Sequence, residues 1–194
     1  MILPNYQDAK KRSKEEVIRE EYNFDEKLYS LGKGKTYHVK TYGCQMNEHD
    51  SENIKAMLEE LSFTEVDDYE SADLVILNTC SIRENAHNKA YGMLGRLKHL
   101  KEDKKDLIIG LCGCMAQEVG VVDEILHKYK FVNFVFGTHN LHRLPILLKE
   151  NMDTSKQTIE VYSKEGNLIE GMPVKRASSY KAFVNIIYGC DKFC

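Results

Sequence analysis

Asp73-Leu74-Val75-Ile76-Leu77-Asn78-Thr79-Cys80 carries an apolar run, unbroken from Leu74 to Leu77, that closes on two polar residues and a cysteine. Consecutive aliphatics without alternation describe a strand buried on both faces, as in a parallel sheet covered by helices. Upstream, Tyr37–Tyr42 is β-prone and stops at Gly43-Cys44; downstream, Leu107–Leu111 is a second buried run that stops just before Cys114. Phe63–Val66 and Phe131–Phe136 make five strand-like runs in all. Helical stripes separate them: Ile54, Met57, Leu58 and Leu61; Ala86, Ala90, Met93, Leu97 and Leu100; Met115, Val119, Val122, Leu126 and Tyr129. Asn47 reads as the N-cap of the first helix, with Asp50 in the capping-box position. A last helical stretch, Leu141–Leu148, is interrupted or started by Pro145. Strands alternating with helices predict an α/β fold: a doubly wound, mostly parallel five-stranded sheet with helices on both faces.

Around this core, residues 1–35 read as a charged extension with Gly32 and Gly34 as the hinge, 36–150 as the α/β domain and 151–178 as a polar linker. Residues 179–194 hold a fresh β-run, Ala182–Tyr188, that starts a second domain. The chain has 194 residues, is 42% hydrophobic and 29% charged, and carries a formal net charge of −3. That balance is ordinary for a globular protein and excludes a wholly basic nucleic-acid clamp. No run reaches the roughly 18 apolar residues of a membrane span. The start shows no apolar signal-peptide core, so the expectation is a cytoplasmic protein without a membrane partner.

Six cysteines in a reducing compartment favour metal or catalytic use over disulfides. Cys44, Cys80 and Cys114 each follow a strand and precede a helix, so the parallel sheet brings them to one edge, where such folds bind ligands. Helix N-termini there favour thiolates, the usual ligands of iron–sulfur clusters. Three protein thiolates on a four-iron cluster leave one iron open to a sulfur species or substrate. A free cysteine can also be a small buried apolar residue, and zinc is a rival metal, although structural zinc prefers closely paired ligands and four closed positions. Cys112 is assigned to the core end of its strand, Gly113 to the turn and Cys114 to the edge; the reverse assignment is the alternative. Cys190-Asp191-Lys192-Phe193-Cys194 is a weak signal taken alone. Arg83, Lys89, Arg96 and Lys98 read as a charged helix face or an RNA contact. His49, His87 and His139 read as capping or solvent-facing residues. Asn47, Asn78 and Glu84 are candidates to orient the cysteines.

Thr41-Tyr42-Gly43-Cys44-Gln45-Met46-Asn47, Asn78-Thr79-Cys80-Ser81-Ile82-Arg83-Glu84-Asn85-Ala86 and Gly113-Cys114-Met115-Ala116-Gln117 resemble the three cysteine motifs of the radical-SAM methylthiotransferases. Gly189-Cys190 to Cys194 resembles the opening of that family's C-x-x-x-C-x-x-C motif. The resemblance covers about residues 36 to 194 and is closest to the tRNA branch that acts on isopentenyladenosine. It implies an auxiliary 4Fe-4S cluster on Cys44, Cys80 and Cys114 that carries the inserted sulfur. It implies a second 4Fe-4S cluster, held in part by Cys190 and Cys194, that cleaves S-adenosylmethionine. The implied reaction is methylthiolation of carbon 2 of the isopentenyladenosine beside the anticodon, on a tRNA partner, with the sulfur donor unspecified. The third cysteine of the second motif would fall three positions past Cys194, so the chain as given is expected to be the auxiliary-cluster domain with the start of a radical-SAM barrel, inactive alone. Two alternatives remain at this point. One is a non-catalytic iron–sulfur module, which a fourth protein ligand would favour. The other is a flavodoxin-like binding module, which lacks support from any G-x-G-x-x-G after the first strand.

Overall fold

The computed structural model describes residues 2–3, 18–81, 83–162 and 168–184. In chain order the strands are β1 (Arg19–Glu21), β2 (Thr36–Tyr42), β3 (Thr64–Glu65), β4 (Leu74–Thr79), β5 (Ile108–Cys112), β6 (Phe134–Phe136), β7 (Thr158–Glu160) and β8 (Leu168–Glu170). The α-helices are α1 (Gln45–Glu60), α2 (Glu84–Asp103), α3 (Val119–Lys128) and α4 (Leu144–Thr154). Short 3-10 segments stand at Glu26–Leu28, Cys114–Gln117 and Thr138–Arg143, the last kinked at Asn140.

Six strands form one sheet in the order β3-β2-β4-β5-β6-β7, and every neighbouring pair in it is parallel. The α/β class and the parallel sheet are as the sequence predicts, with one correction. The sheet has six strands, because Thr158–Glu160, inside the stretch read as a linker, pairs with β6. Only Ile159 in that strand is apolar, so it leaves no apolar run to read. Residues 18–31 also differ from a free extension. β1 pairs with β8, Leu28 is buried, and Tyr22, Phe24 and Leu31 pack against the core.

Side chains of β4 alternate between two cores, which is why all six of its residues are buried. Leu74 and Ile76 join Ile54, Met57 and Leu58 of α1 and Leu144, Leu147 and Leu148 of α4. Val75 and Leu77 join Ala90, Met93, Leu94 and Leu97 of α2 and Val121, Val122 and Ile125 of α3. The two faces are thus each covered by two helices, and the strand ends are left at the rims. Pro145 sits in the first turn of α4, where its missing N–H costs no helical bond; it starts that helix.

After α4 and β7 the chain returns to lie along α1. The backbone N–H of Lys175 donates to the carbonyl of Glu52 (3.0 Å), and that of Ala177 to the Glu52 carboxylate (3.1 Å). Asn53 Nδ2 donates to the Pro173 carbonyl (2.9 Å). Lys175 bridges Glu59 and Glu65, Lys181 reaches Glu48 (3.3 Å), and Phe183 packs on His49 (centroids 5.8 Å). Contacts therefore march from the C-terminal end of α1 to its first turns. Glu65 is held below its ordinary 4.5: burial opposes this, and the Lys175 and Lys55 ammonium groups outweigh it. Its share of the clamp is present above that ordinary value and lost as pH falls through the lower folded value. Glu52 is 6% exposed and accepts an otherwise unpaired N–H, a charge-assisted bond of about 1.5–3 kcal/mol. Glu52→Ala is expected to raise the rate of tryptic cleavage after Arg176 about tenfold at neutral pH without changing global stability in proportion. An unchanged rate would mean that the strap is not held by this contact.

Candidate metal centre

The chain passes from β2 through α1 to β3 on one edge of the sheet, then crosses back to β4 on the other side of β2. The β2–β4 pair is therefore the switch point at which doubly wound sheets open a crevice at their carboxyl ends. Thr41, Asn78 and Cys112 lie side by side across β2, β4 and β5. Cys44 follows three residues past this row, Cys80 two and Cys114 two, so the sheet delivers three cysteines to one rim across three adjacent strands. Neighbouring strands are about 4.8 Å apart, which spreads the three strand ends over about 10 Å.

Each loop is fixed by specific contacts. Cys44 is itself the N-cap of α1, so the helix begins three residues earlier than predicted. Asn47 is not the N-cap but the third helical residue, and its Oδ1 accepts the backbone N–H of Cys44 (3.2 Å). The reciprocal geometry of a capping box is kept, with cysteine in the position usually held by serine or threonine. Asn47, fully buried, donates through Nδ2 to Asn78 Oδ1 (3.0 Å) and the Thr79 carbonyl (3.2 Å). Asn78 returns Nδ2 to the Asn47 carbonyl (2.8 Å) and Ser51 Oγ (2.9 Å). This closed network ties the Cys44 loop to the strand that carries Cys80. The backbone N–H of Cys80 donates to the Tyr42 carbonyl (2.9 Å). Arg83, just past Cys80, donates from its guanidinium to the carbonyl of Gly43 (2.8 Å). Two of the three loops are thus joined on both sides of their cysteines.

The third loop turns at Gly113, with φ 92° and ψ −171°, a region open almost only to glycine. Its Cα faces β4 so closely that a Cβ would stand 2.5 Å from Asn78 Oδ1 and 2.8 Å from Thr79 N. Thr79 Oγ1 donates to the Cys112 carbonyl (3.2 Å) on the other side of the turn. Cys112 is fully buried among the residues of the α1–α4 face, and Cys114 is part exposed.

Cys44, Cys80, Cys112 and Cys114 are all free thiols. The Cys114 thiol is pushed up to about 11 by burial and by the negative fields of Asp50, Cys80 and Cys44. The helix-end stabilisation of a thiolate expected from sequence is overridden at Cys114, which opens only a single 3-10 turn. Burial raises Cys112 further still. A cation bound beside Cys114 would favour its thiolate against these raising effects. Asp50 itself is pushed up to about 7 by burial.

Among the described residues, no three His, Cys, Asp or Glu side chains converge tightly enough for a single metal ion. A single tetrahedral zinc with 2.3 Å bonds needs sulfurs about 3.8 Å apart, whereas the outer thiolates of a four-iron cluster stand about 6–7 Å apart. Soft sulfur donors carried by three neighbouring strand ends that spread over about 10 Å suit the second case.

Sequence reasoning missed Asp50 as a neighbour of the thiols and Arg83 as the bracket between loops. A signal for the first exists. Asn47, Asp50, Ser51 and Ile54 share helical spacing, so polar residues occupy the start of the stripe that is apolar further along. Lys89, Arg96 and Lys98 stand exposed on α2. His87 lies 3.3 Å from Glu118. Cys190, Cys194 and the side chain of Glu84 fall outside the described residues, as does most of the β-run expected at 182–188.

A doubly wound parallel sheet with three cysteines across its switch point defines the class. Residues 36–137 match the profile of the family described as uncharacterized protein family UPF0004, and the chain belongs to that family. The chain is 52% identical over 193 residues to the tRNA-2-methylthio-N(6)-dimethylallyladenosine synthase of Bacillus pumilus, covering 100% of this chain and 38% of that protein. It is 50% identical to the proteins of the same name from Staphylococcus saprophyticus, over 98% of this chain and 37% of the relative, and Halalkalibacterium halodurans, over 98% and 36%. The chain thus spans little more than a third of the length of these curated relatives.

Proposed function

We propose that this chain is the auxiliary-cluster domain of a tRNA methylthiotransferase, with Cys44, Cys80 and Cys114 holding one 4Fe-4S cluster. The whole protein would then methylthiolate carbon 2 of isopentenyladenosine (dimethylallyladenosine) in tRNA, using S-adenosylmethionine and a second cluster held in part by Cys190 and Cys194. The observation that carries this reading is the placement of three free cysteines at the ends of three adjacent parallel strands. The likeness to relatives named for that reaction supports the substrate.

When bound on three thiolates, the cluster supplies an iron with an open position at which sulfur can be held for transfer. The protein's own part is to orient and shield. Asn47 and Asn78 lock the Cys44 and Cys80 loops together, Arg83 fastens the Gly43 carbonyl, and the Gly113 turn aims Cys114 out while Cys112 stays in the core. Burial around Cys80, 1% exposed, keeps bulk water from that ligand. The strap along α1 carries the chain from Lys175 to Phe183 toward the turns that bear Cys44. Six residues lie between Phe183 and Cys190, a span of at most about 25 Å.

Among the described residues, no helix is long and apolar enough to cross a membrane. The test is mass analysis of tRNA nucleosides from cells whose own activity is deleted and which express the full-length protein. The methylthio nucleoside should return with the wild-type protein and be absent with Cys44→Ala, Cys80→Ala or Cys114→Ala. Return of the product with all three variants would refute the assignment.

A further inference from the structure

At the opposite rim of the sheet, the amino ends of the strands surround a half-open cavity of about 460 Å³. Lys35 stands just before β2, Lys101 near the end of α2, Lys105 before β5 and Lys130 before β6, and all four line it. Asp106 is the one carboxylate of the lining, so the cavity carries four positive charges against one negative in a chain whose net charge is −3. Lys101 is half-buried, and its Nζ donates to the Phe131 carbonyl (3.0 Å) and to Asn133 Oδ1. Those partners are neutral, and burial pulls its ammonium group below its ordinary range with no carboxylate to offset it. Lys35, Lys105 and Lys130 form no ion pair among the described residues, in contrast to Lys55, Lys104, Lys128 and Lys149. A concave site with one desolvated cation at its wall and three unpaired cations around it lacks only an anion.

We propose that this lysine-lined cavity takes the phosphate groups of an RNA backbone. None of the lining residues is glycine, so the site has no glycine-rich loop of backbone N–H groups such as encloses the phosphates of a single nucleotide. Flexible point charges from separate loops instead suit successive backbone phosphates, which position a nucleic acid without reading its bases. β2 is seven residues long, about 23 Å at 3.3 Å per residue, so the cavity lies about that far from the cysteine rim. A stem of RNA leading to the modified loop can span this distance. The inference rests on the tRNA reading above for its choice of RNA, but not on the cysteines.

The test uses the 194-residue chain and fluorescence anisotropy with a labelled anticodon stem-loop RNA across a salt series. The triple variant Lys35→Gln, Lys105→Gln, Lys130→Gln is expected to bind at least tenfold more weakly at low salt. The slope of log affinity against log salt should fall by about 2, since each phosphate contact contributes about 0.7–0.9. The variant's iron content after anaerobic loading should equal that of the wild type, because the lysines stand at the other rim. Unchanged RNA affinity and slope would overturn the proposal. So would a wild-type chain that ignores the RNA while inorganic phosphate or ATP protects Lys105 and Lys130 from acetylation, which would make the site one for a small phosphate compound. A chain that binds no iron yet loses RNA through the lysine variant would sustain this inference while refuting the cluster assignment.

Discussion

Replacing Cys114 with alanine is expected to abolish stable iron binding, whereas Cys112→Ala keeps the iron and costs about 1 kcal/mol of stability. The two residues are separated only by Gly113, yet they face different surroundings. Cys112 is fully buried on the α1–α4 face, and its thiol stays protonated because burial forbids the charge. Cys114 lies past the turn, part exposed, within the fields of Cys44 and Cys80. A thiol must ionise to bind iron, and the part-exposed Cys114, close to the other two thiols, is the proposed ligand. The measurement is iron and sulfide content after anaerobic loading, together with the thermal midpoint of each apo protein. Loss of iron in Cys112→Ala with retention in Cys114→Ala would reverse the assignment.

Gly113→Ala is expected to have the largest effect on stability of any single methyl added to this chain's described glycines. The position requires a backbone conformation that alanine reaches only at a cost of about 1–3 kcal/mol. The added carbon also meets the backbone of Thr79 and the side chain of Asn78. Neither can retreat: Thr79 is hydrogen-bonded within the centre of the sheet, and Asn78 is locked by Asn47 and Ser51. Together these costs come to about 3–5 kcal/mol, a fall in thermal midpoint of about 10 °C for a domain of this size. Iron binding should weaken as well, because Cys114 would be re-aimed. Gly120→Ala provides the contrast. It stands in α3 with open space around it, so an alanine there should be neutral or stabilising by up to about 1 kcal/mol. Equal effects at the two positions would show that the turn is not under the constraint described.

The sheet and the cysteine rim were legible in the sequence because they rest on strong local patterns. Leu74 to Leu77 can only be a strand covered on both sides, and cysteines after three such runs fall on one edge by topology alone. What escaped was held by long-range partners. Thr158–Glu160 is three residues with a single apolar side chain, and β6 alone makes it a strand. Arg19–Glu21 is wholly charged and exposed, and becomes a strand through Leu168–Glu170. The start of α1 was misplaced because asparagine is the commoner N-cap; here Asn47 serves the cap from the third position while Cys44 occupies it. The strap from Pro173 to Phe183 depends on Glu48, Glu52 and Glu59, which any sequence reading would place in solvent. The neighbourhood of Asp50 and the thiols likewise needs the folded sheet to exist.

The zinc and iron alternatives differ in what they ask of folding. The two cores are built from aliphatic and aromatic residues of both faces, and the cysteine rim adds little to them, so the apo chain should remain folded. The central claim is that Cys44, Cys80 and Cys114 together hold one iron–sulfur cluster, and Mössbauer spectroscopy of the anaerobically reconstituted chain tests it most directly. The account predicts a four-iron cluster in the wild type at about four irons per chain, and its loss from the folded triple variant Cys44→Ala, Cys80→Ala, Cys114→Ala. A triple variant that retains the same spectrum, or a folded wild-type chain that takes up zinc and refuses iron, would contradict it.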